Sequence, residues 1–198
     1  MLELSAATLV GKGLHREVHV HPDDDSKCVK VVVLRGKEET RREQAYYRFL
    51  QRRNIDWISL PQFYGNEETN MGPGAVFDLI RDDDRQVSKT LAFYLDNLSS
   101  TPELVESIGQ ALIKLKWDLL EQNIITMTLK PKNMVLQLRN DGVRCLIIDN
   151  IGNSDIVPIS SYIRFLGKKK IERKWSKFKQ LLKRDDSQQQ IEVICKRI

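Results

Sequence analysis

Cysteine is scarce in this chain. Its three thiols, Cys28, Cys145 and Cys195, lie far apart and are odd in number. That excludes a self-contained disulfide frame and a zinc site built on spaced cysteine pairs, and it fits reduced thiols in a cytoplasm. Long apolar runs are missing as well. No stretch approaches the roughly 18 apolar residues that a membrane-crossing helix needs. The opening residues, Met1-Leu2-Glu3-Leu4-Ser5, lack the basic-then-apolar order of a signal peptide, so a cytoplasmic protein is expected. Histidine is limited to His15, His19 and His21. His19 and His21 share a strand face, but no cysteine or carboxylate clearly joins them, so surface histidines are expected rather than metal ligands.

What is present is an ordinary globular composition, 41% apolar and 30% charged over 198 residues. That suits one large domain or two small lobes sharing a cleft. The formal charge of +5 is concentrated in one place, because residues 168–184 hold nine Lys/Arg and a single Glu. Within that stretch Ile171, Trp175, Phe178, Leu181 and Leu182 recur at helical spacing, so it reads as an amphipathic helix with a solvated basic face. Such a face can meet an acidic partner or an anionic membrane surface. Nucleic acid is disfavoured, since no RNA-binding aromatic motif accompanies it.

The first third alternates like a sheet. Thr8-Leu9-Val10, Glu17 to His21 and Cys28 to Leu34 read as strands, with Gly11-Lys12-Gly13 and Pro22 to Ser26 as turns. Lys30 sits inside the Val-rich third strand. It is either an edge residue facing water or a lysine pointing into a cleft. Residues 38–53 form a helix with Tyr46, Tyr47, Phe49 and Leu50 on one side and Glu43 among its charged positions. Leu60 to Gly65 and Ala75 to Ile80 supply two more strands around the turn Asn70 to Gly74. Asp82-Asp83-Asp84 read as a solvated loop. Thr90 to Leu98 and Pro102 to Gln122 are helices, the second with Leu104, Ile108, Ala111, Leu112, Leu115 and Leu119 on one face.

The stretch Thr126-Met127-Thr128-Leu129-Lys130-Pro131-Lys132-Asn133 follows that helix and precedes a hairpin turning at Asn140-Asp141-Gly142 and ending in Ile147-Ile148-Asp149. This order resembles the catalytic loop and metal-binding Asp of protein kinases, where the loop reads His-x-Asp-Leu-Lys-Pro-x-Asn. The resemblance implies an α+β, two-lobed fold. Residues 1–81 would be a five-stranded antiparallel small lobe, and 82–198 a reduced helical large lobe carrying the basic helix. It also implies roles. Lys30 would hold phosphates, paired to Glu43, with Lys130 neutralising the transferred group. Gly11, Gly13, Val18, Phe77 and Leu79 would line an ATP site, and the backbone of the connector Phe77 to Arg81 would meet the adenine edge. Asn133 and Asp149 would ligate Mg²⁺. The chain departs from the pattern at three points. Thr128 stands where the catalytic base should be, Arg16 replaces the third glycine of the turn, and Asp149-Asn150-Ile151-Gly152 has one residue more than Asp-Phe-Gly. No Ala-Pro-Glu follows, and the stretch after Gly152 is short for a peptide-binding lobe.

A closer resemblance is carried by His21-Pro-Asp-Asp-Asp-Ser-Lys-Cys-Val-Lys-Val31, Arg41-Arg-Glu-Gln-Ala-Tyr-Tyr47, Ile125 to Asn133 and Ile148-Asp-Asn-Ile-Gly152. These segments are similar to YrbL-type PhoP regulatory network proteins of bacteria. The family implies a kinase-like fold and expression under the PhoP response regulator. Three functions stay open. One is a pseudokinase or weak phosphotransferase that binds ATP and Mg²⁺ as a regulator. Another is an atypical kinase or nucleotidyl transferase acting on a small molecule or envelope precursor. The last is a non-nucleotide regulator working through the basic helix on an unidentified protein or small-molecule partner.

Overall fold

Strand propensity and a buried lysine organise the small lobe. A computed structural model describes residues 1–4, 9–34, 37–97, 102–153, 155, 158–184, 194–196 and 198. Strands β1 (Leu9–Lys12), β2 (Arg16–His21) and β3 (Asp24–Val32) form an antiparallel meander. Strands β4 (Phe63–Thr69) and β5 (Gly72–Asp78) complete a five-stranded sheet in the order β1-β2-β3-β5-β4. β3 is therefore interior, paired with β2 on one side and β5 on the other. An edge position for Lys30 is ruled out. The residue is 9% exposed.

Helix α1 (Lys37–Arg52) lies between β3 and β4 in sequence. Tyr47 is fully buried, with its ring 5.1 Å from Phe77 and 6.0 Å from both Phe63 and Trp57. Such offset and tilted ring pairs add to the apolar burial that fixes helix on sheet. Gly74 permits close packing across the sheet, since a Cβ there would run into Val29.

The large lobe contains α2 (Leu91–Asp96), α3 (Pro102–Glu121), a hairpin of β6 (Met134–Arg139) and β7 (Gly142–Ile147), α4 (Ile159–Tyr162) and α5 (Arg164–Arg184). Thr90 caps α2 by accepting from the Phe93 amide at 3.2 Å. The α3 stripe buries Val105, Ile108, Ala111, Leu112, Leu115 and Leu119. Ile171, Trp175, Phe178 and Leu182 of α5 are buried in the same core.

Several expectations change. β1 runs through Gly11 and Lys12, so the turn is Gly13 to His15, closed by the Gly13 amide donating to the Arg16 carbonyl at 2.8 Å. β4 begins at Phe63 rather than Leu60. α5 starts at Arg164, before the basic run. His19 and His21 are buried rather than on the surface, beside Glu17 and Glu67 respectively. Thr8 and Leu98 lie outside the described residues.

Candidate functional site

Lys30 enters the cleft because β3 alternates. Val29 and Val31 face the small cluster with Leu4 and Val76, so Lys30 must face the other way, toward α1 and the large lobe. Its ammonium donates to the Ile148 carbonyl at 2.6 Å and lies 4.3 Å from the centre of the Phe77 ring. Among the described residues no carboxylate lies within ion-pair distance of Lys30.

Glu43 is 2% exposed and does not meet Lys30. Its carboxylate accepts from Arg16 Nη1 at 2.5 Å and from the Ile151 amide at 3.4 Å. The other arm of the Arg16 guanidinium donates to Asp149 Oδ1. The expected Lys–Glu pair is thus replaced by an Arg16 bridge from α1 to Asp149. The physical reason is the fork shape of arginine, whose two terminal nitrogens reach the two carboxylates at once. Burial works against the guanidinium charge, but Glu43 and Asp149 outweigh it, so the pKa of Arg16 is raised and the charge is kept.

The loop below is built on main-chain bonds. Asn150 adopts a positive φ of 62° and its carbonyl receives the Met127 amide at 2.8 Å, while the Gly152 amide donates to the Ile125 carbonyl at 3.0 Å. The Ile125 amide in turn donates to Tyr46 Oη at 2.8 Å, tying the loop to α1. Asn133 ends a short 3₁₀ turn after Pro131 and is 6% exposed. Its carbonyl accepts the Ile148 amide at 2.9 Å. Its side-chain nitrogen is buried with no hydrogen-bond partner among the described residues. Thr128 and Lys130 are exposed at the loop surface, and Thr126 is buried.

Gly11 and Gly13 lie on the sheet side of the cleft with Val18. A Cβ on Gly11 would touch nothing within 4 Å, and its φ is ordinary. Neither packing nor backbone geometry demands glycine at position 11. Phe77 and Leu79 are buried, at 1% and 8% exposure. The Asp78 and Leu79 amides of the connector already donate to the Gln62 and Ser26 carbonyls, at 3.1 and 2.8 Å. Asp82 accepts from Ser88 and the Leu138 amide, Asp83 from the Asn140 amide, and Asp84 from the Gln86 amide. They cap loops. Among the described residues no group of three or more His, Cys, Asp or Glu is arranged to hold a metal.

Magnesium fits poorly with the arrangement present. Asp149 Oδ1 is taken by Arg16 and by the Asn150 amide at 2.8 Å, and a cation brought there would meet the guanidinium head on.

Sequence reasoning noticed Arg16 only as a lost glycine. It missed two lysines of α5 that face inward. Lys170, 5% exposed, bonds Asn153 and pairs with Asp155 at 2.7 Å, and Lys174 donates to the Met127 carbonyl. Burial, with Lys170, Lys177 and Arg173 nearby, lowers the pKa of Lys174. The basic face is therefore partly structural. A signal existed in the phase of the helix, since Lys170 and Lys174 flank the buried Ile171 and Trp175.

Residues 2–183 match the family model described as PhoP regulatory network protein YrbL. The chain belongs to that family. This YrbL-family member is 35% identical over 182 residues to the uncharacterized protein YrbL of Escherichia coli (strain K12), covering 90% of this chain and 86% of the relative. The same figures hold for the YrbL of Shigella flexneri. Among solved structures, the PknI kinase domain of Mycobacterium tuberculosis is similar with a TM-score of 0.50 at 17% identity. That match covers 72% of this chain and 57% of the kinase domain, so the chain spans little more than half of that domain's length. At this identity the likeness shows the fold, which is kinase-like and α+β. Among the described residues no helix is long and apolar enough to cross a membrane.

Proposed function

We propose that this chain is a cytoplasmic nucleotide-binding regulator of the PhoP network in which phosphoryl transfer is weak or lost. The observation that supports it most is the buried ammonium of Lys30. It is held in the cleft by a carbonyl and a ring, with no carboxylate partner among the described residues. A buried cation in that state favours an anionic ligand. Gly11 adds to this, because the space beside it is left open without an internal cause.

Transfer is a different matter. Phosphoryl transfer works by positioning and charge, and its nucleophile is oriented by a carboxylate base. Thr128 stands at that position, exposed, and a hydroxyl is too weakly basic near neutral pH to replace it. Losing general-base help costs about 10²–10⁴-fold. The test is a thermal melt with and without millimolar ATP, repeated on Lys30→Met. A rise in Tm that the variant loses supports the reading. No shift in the unaltered protein overturns it.

A second reading rests on a separate surface. Ile159, Tyr162, Ile163, Phe165 and Leu166 are 39–70% exposed within eight residues. Arg164, Lys168 and Lys169 are exposed among them, and Lys169 lies 4.4 Å from the centre of the Phe165 ring. Clustered large apolar side chains with basic neighbours suit the interface of an anionic membrane. Sedimentation with vesicles containing phosphatidylglycerol should pull the protein down, and phosphatidylcholine vesicles should not. Phe165→Ser with Lys169→Glu should weaken binding, and equal sedimentation of that variant would end this reading.

A further inference from the structure

The contact between the glycine turn and Asp149 bears on how a nucleotide would be held. Arg16 begins β2, directly after the turn, and its own carbonyl closes that turn. From there its guanidinium crosses the cleft to Glu43 and Asp149, with its side chain 18% exposed. The charge in the cleft is thus set before any ligand enters. Arg16 and Lys30 are cations there, Glu43 and Asp149 are the carboxylates bonded to Arg16, and Glu39 adds a weaker acidic influence.

A triphosphate needs positive charge along its chain. A divalent ion supplies it by bridging a carboxylate to phosphate oxygens. Here the carboxylate that would anchor the ion is already bonded to a fixed cation. Arginine presents five N–H donors in a plane, and two of its arms are used on Glu43 and Asp149. Lys30 has three donors and uses one on Ile148. The remaining donors suit phosphate oxygens. The buried amide nitrogen of Asn133, without a partner among the described residues, is a further donor. A phosphate oxygen satisfies it, and a metal ion does not.

We propose that the cleft takes a nucleoside triphosphate without a divalent metal, with the Arg16 guanidinium standing on Asp149 where magnesium would stand. Arg16 and Lys30 supply the N–H donors that meet the phosphates, while Glu43 and Asp149 balance their formal charge. This rests on the nucleotide-binding reading above. It also accounts for the replaced glycine, which costs the turn its usual freedom but brings a permanent cation to the phosphates.

The experiment is ATP binding by calorimetry on the full chain, once in excess EDTA and once in millimolar Mg²⁺. The expected result is binding in EDTA with an affinity within about threefold of that in Mg²⁺, a difference of well under 1 kcal/mol. Arg16→Gly, which restores the third glycine, should bind about 10- to 100-fold more weakly in EDTA, as expected for lost charge-assisted bonds. Mg²⁺ should recover part of that loss. Arg16→Lys keeps the charge and should fall between the two. Binding by the unaltered protein in Mg²⁺ but not in EDTA would overturn the metal-free site and leave the nucleotide reading standing. Absence of binding in both conditions would overturn both. Since the comparison in the unaltered protein decides the matter, a variant that fails to fold does not blunt the test.

Discussion

Arg16 changes what its neighbours are for. In the pattern that the sequence resembles, Glu43 would steady Lys30, and here it steadies Arg16 instead. Glu43 is nearly inaccessible, and the guanidinium is the charged group bonded to it. Removing one member of a buried pair strands the other, which costs about 3–5 kcal/mol in a fully buried setting. Arg16 is partly exposed and keeps Asp149, so Glu43→Gln should lose somewhat less, roughly 2–3 kcal/mol by urea unfolding. The double variant Arg16→Met, Glu43→Gln should be more stable than the sum of the two singles implies. Additive losses would mean that the pair is not coupled. Arg16 was visible in the sequence as a departure, yet its partners were not. Glu43 and Asp149 are 27 and 133 residues away, and no local pattern links positions so far apart.

Helix α5 shows how one element can serve two purposes. Its apolar stripe was legible, because Ile171, Trp175 and Phe178 repeat at the helical period and are buried as that period requires. Its basic side was read as a solvated face, which holds for Lys168 and Lys169 but not for Lys170. Lys170 fastens Asn153, whose amide donates to the Ser160 and Ser161 hydroxyls at 2.8 and 3.0 Å. At the start of the helix, Gly167 passes so close to Asn123 that a Cβ would overlap its side-chain oxygen. Asn123 is fixed there with φ 49° and donates to the Ser160 and Ser161 carbonyls at 3.1 and 3.2 Å. Gly167→Ala should therefore cost about 1–3 kcal/mol by overpacking, although alanine is the better helix former. Lys168→Ala, next to it in sequence but exposed, should change stability by no more than about 0.5 kcal/mol. A Gly167→Ala protein as stable as the parent would show that α5 can shift away from the loop.

At the scale of the whole molecule, one apolar core runs through both lobes, from Tyr47 and Phe77 to Leu112 and Trp175. Polar ties cross the cleft as well. Lys30 reaches Ile148, Tyr46 reaches Ile125, and the Ile147 amide donates to the Ser59 carbonyl at 3.0 Å. A continuous core of this kind should unfold in one transition, so the ATP melt reads the entire chain rather than one lobe. At about 100 times its Kd, a ligand that binds the folded state alone adds about 2.7 kcal/mol, a shift of roughly 5–11 °C for a chain of this size.

The order of strands and helices, the helix faces and the loop from Thr126 to Asn133 followed from the sequence itself. Those features are set by neighbours within a few residues, through period 2 or 3.6 and through turn chemistry. That position 128 carries Thr where the kinase pattern has Asp was equally plain, because it is a matter of residue identity. Only the tertiary structure decided that Lys30 is interior, that Glu43 serves Arg16, and that Lys170 and Lys174 turn inward. Each of those depends on which distant chain segment arrives at the same point, and a buried charge takes its meaning from the group that is buried with it.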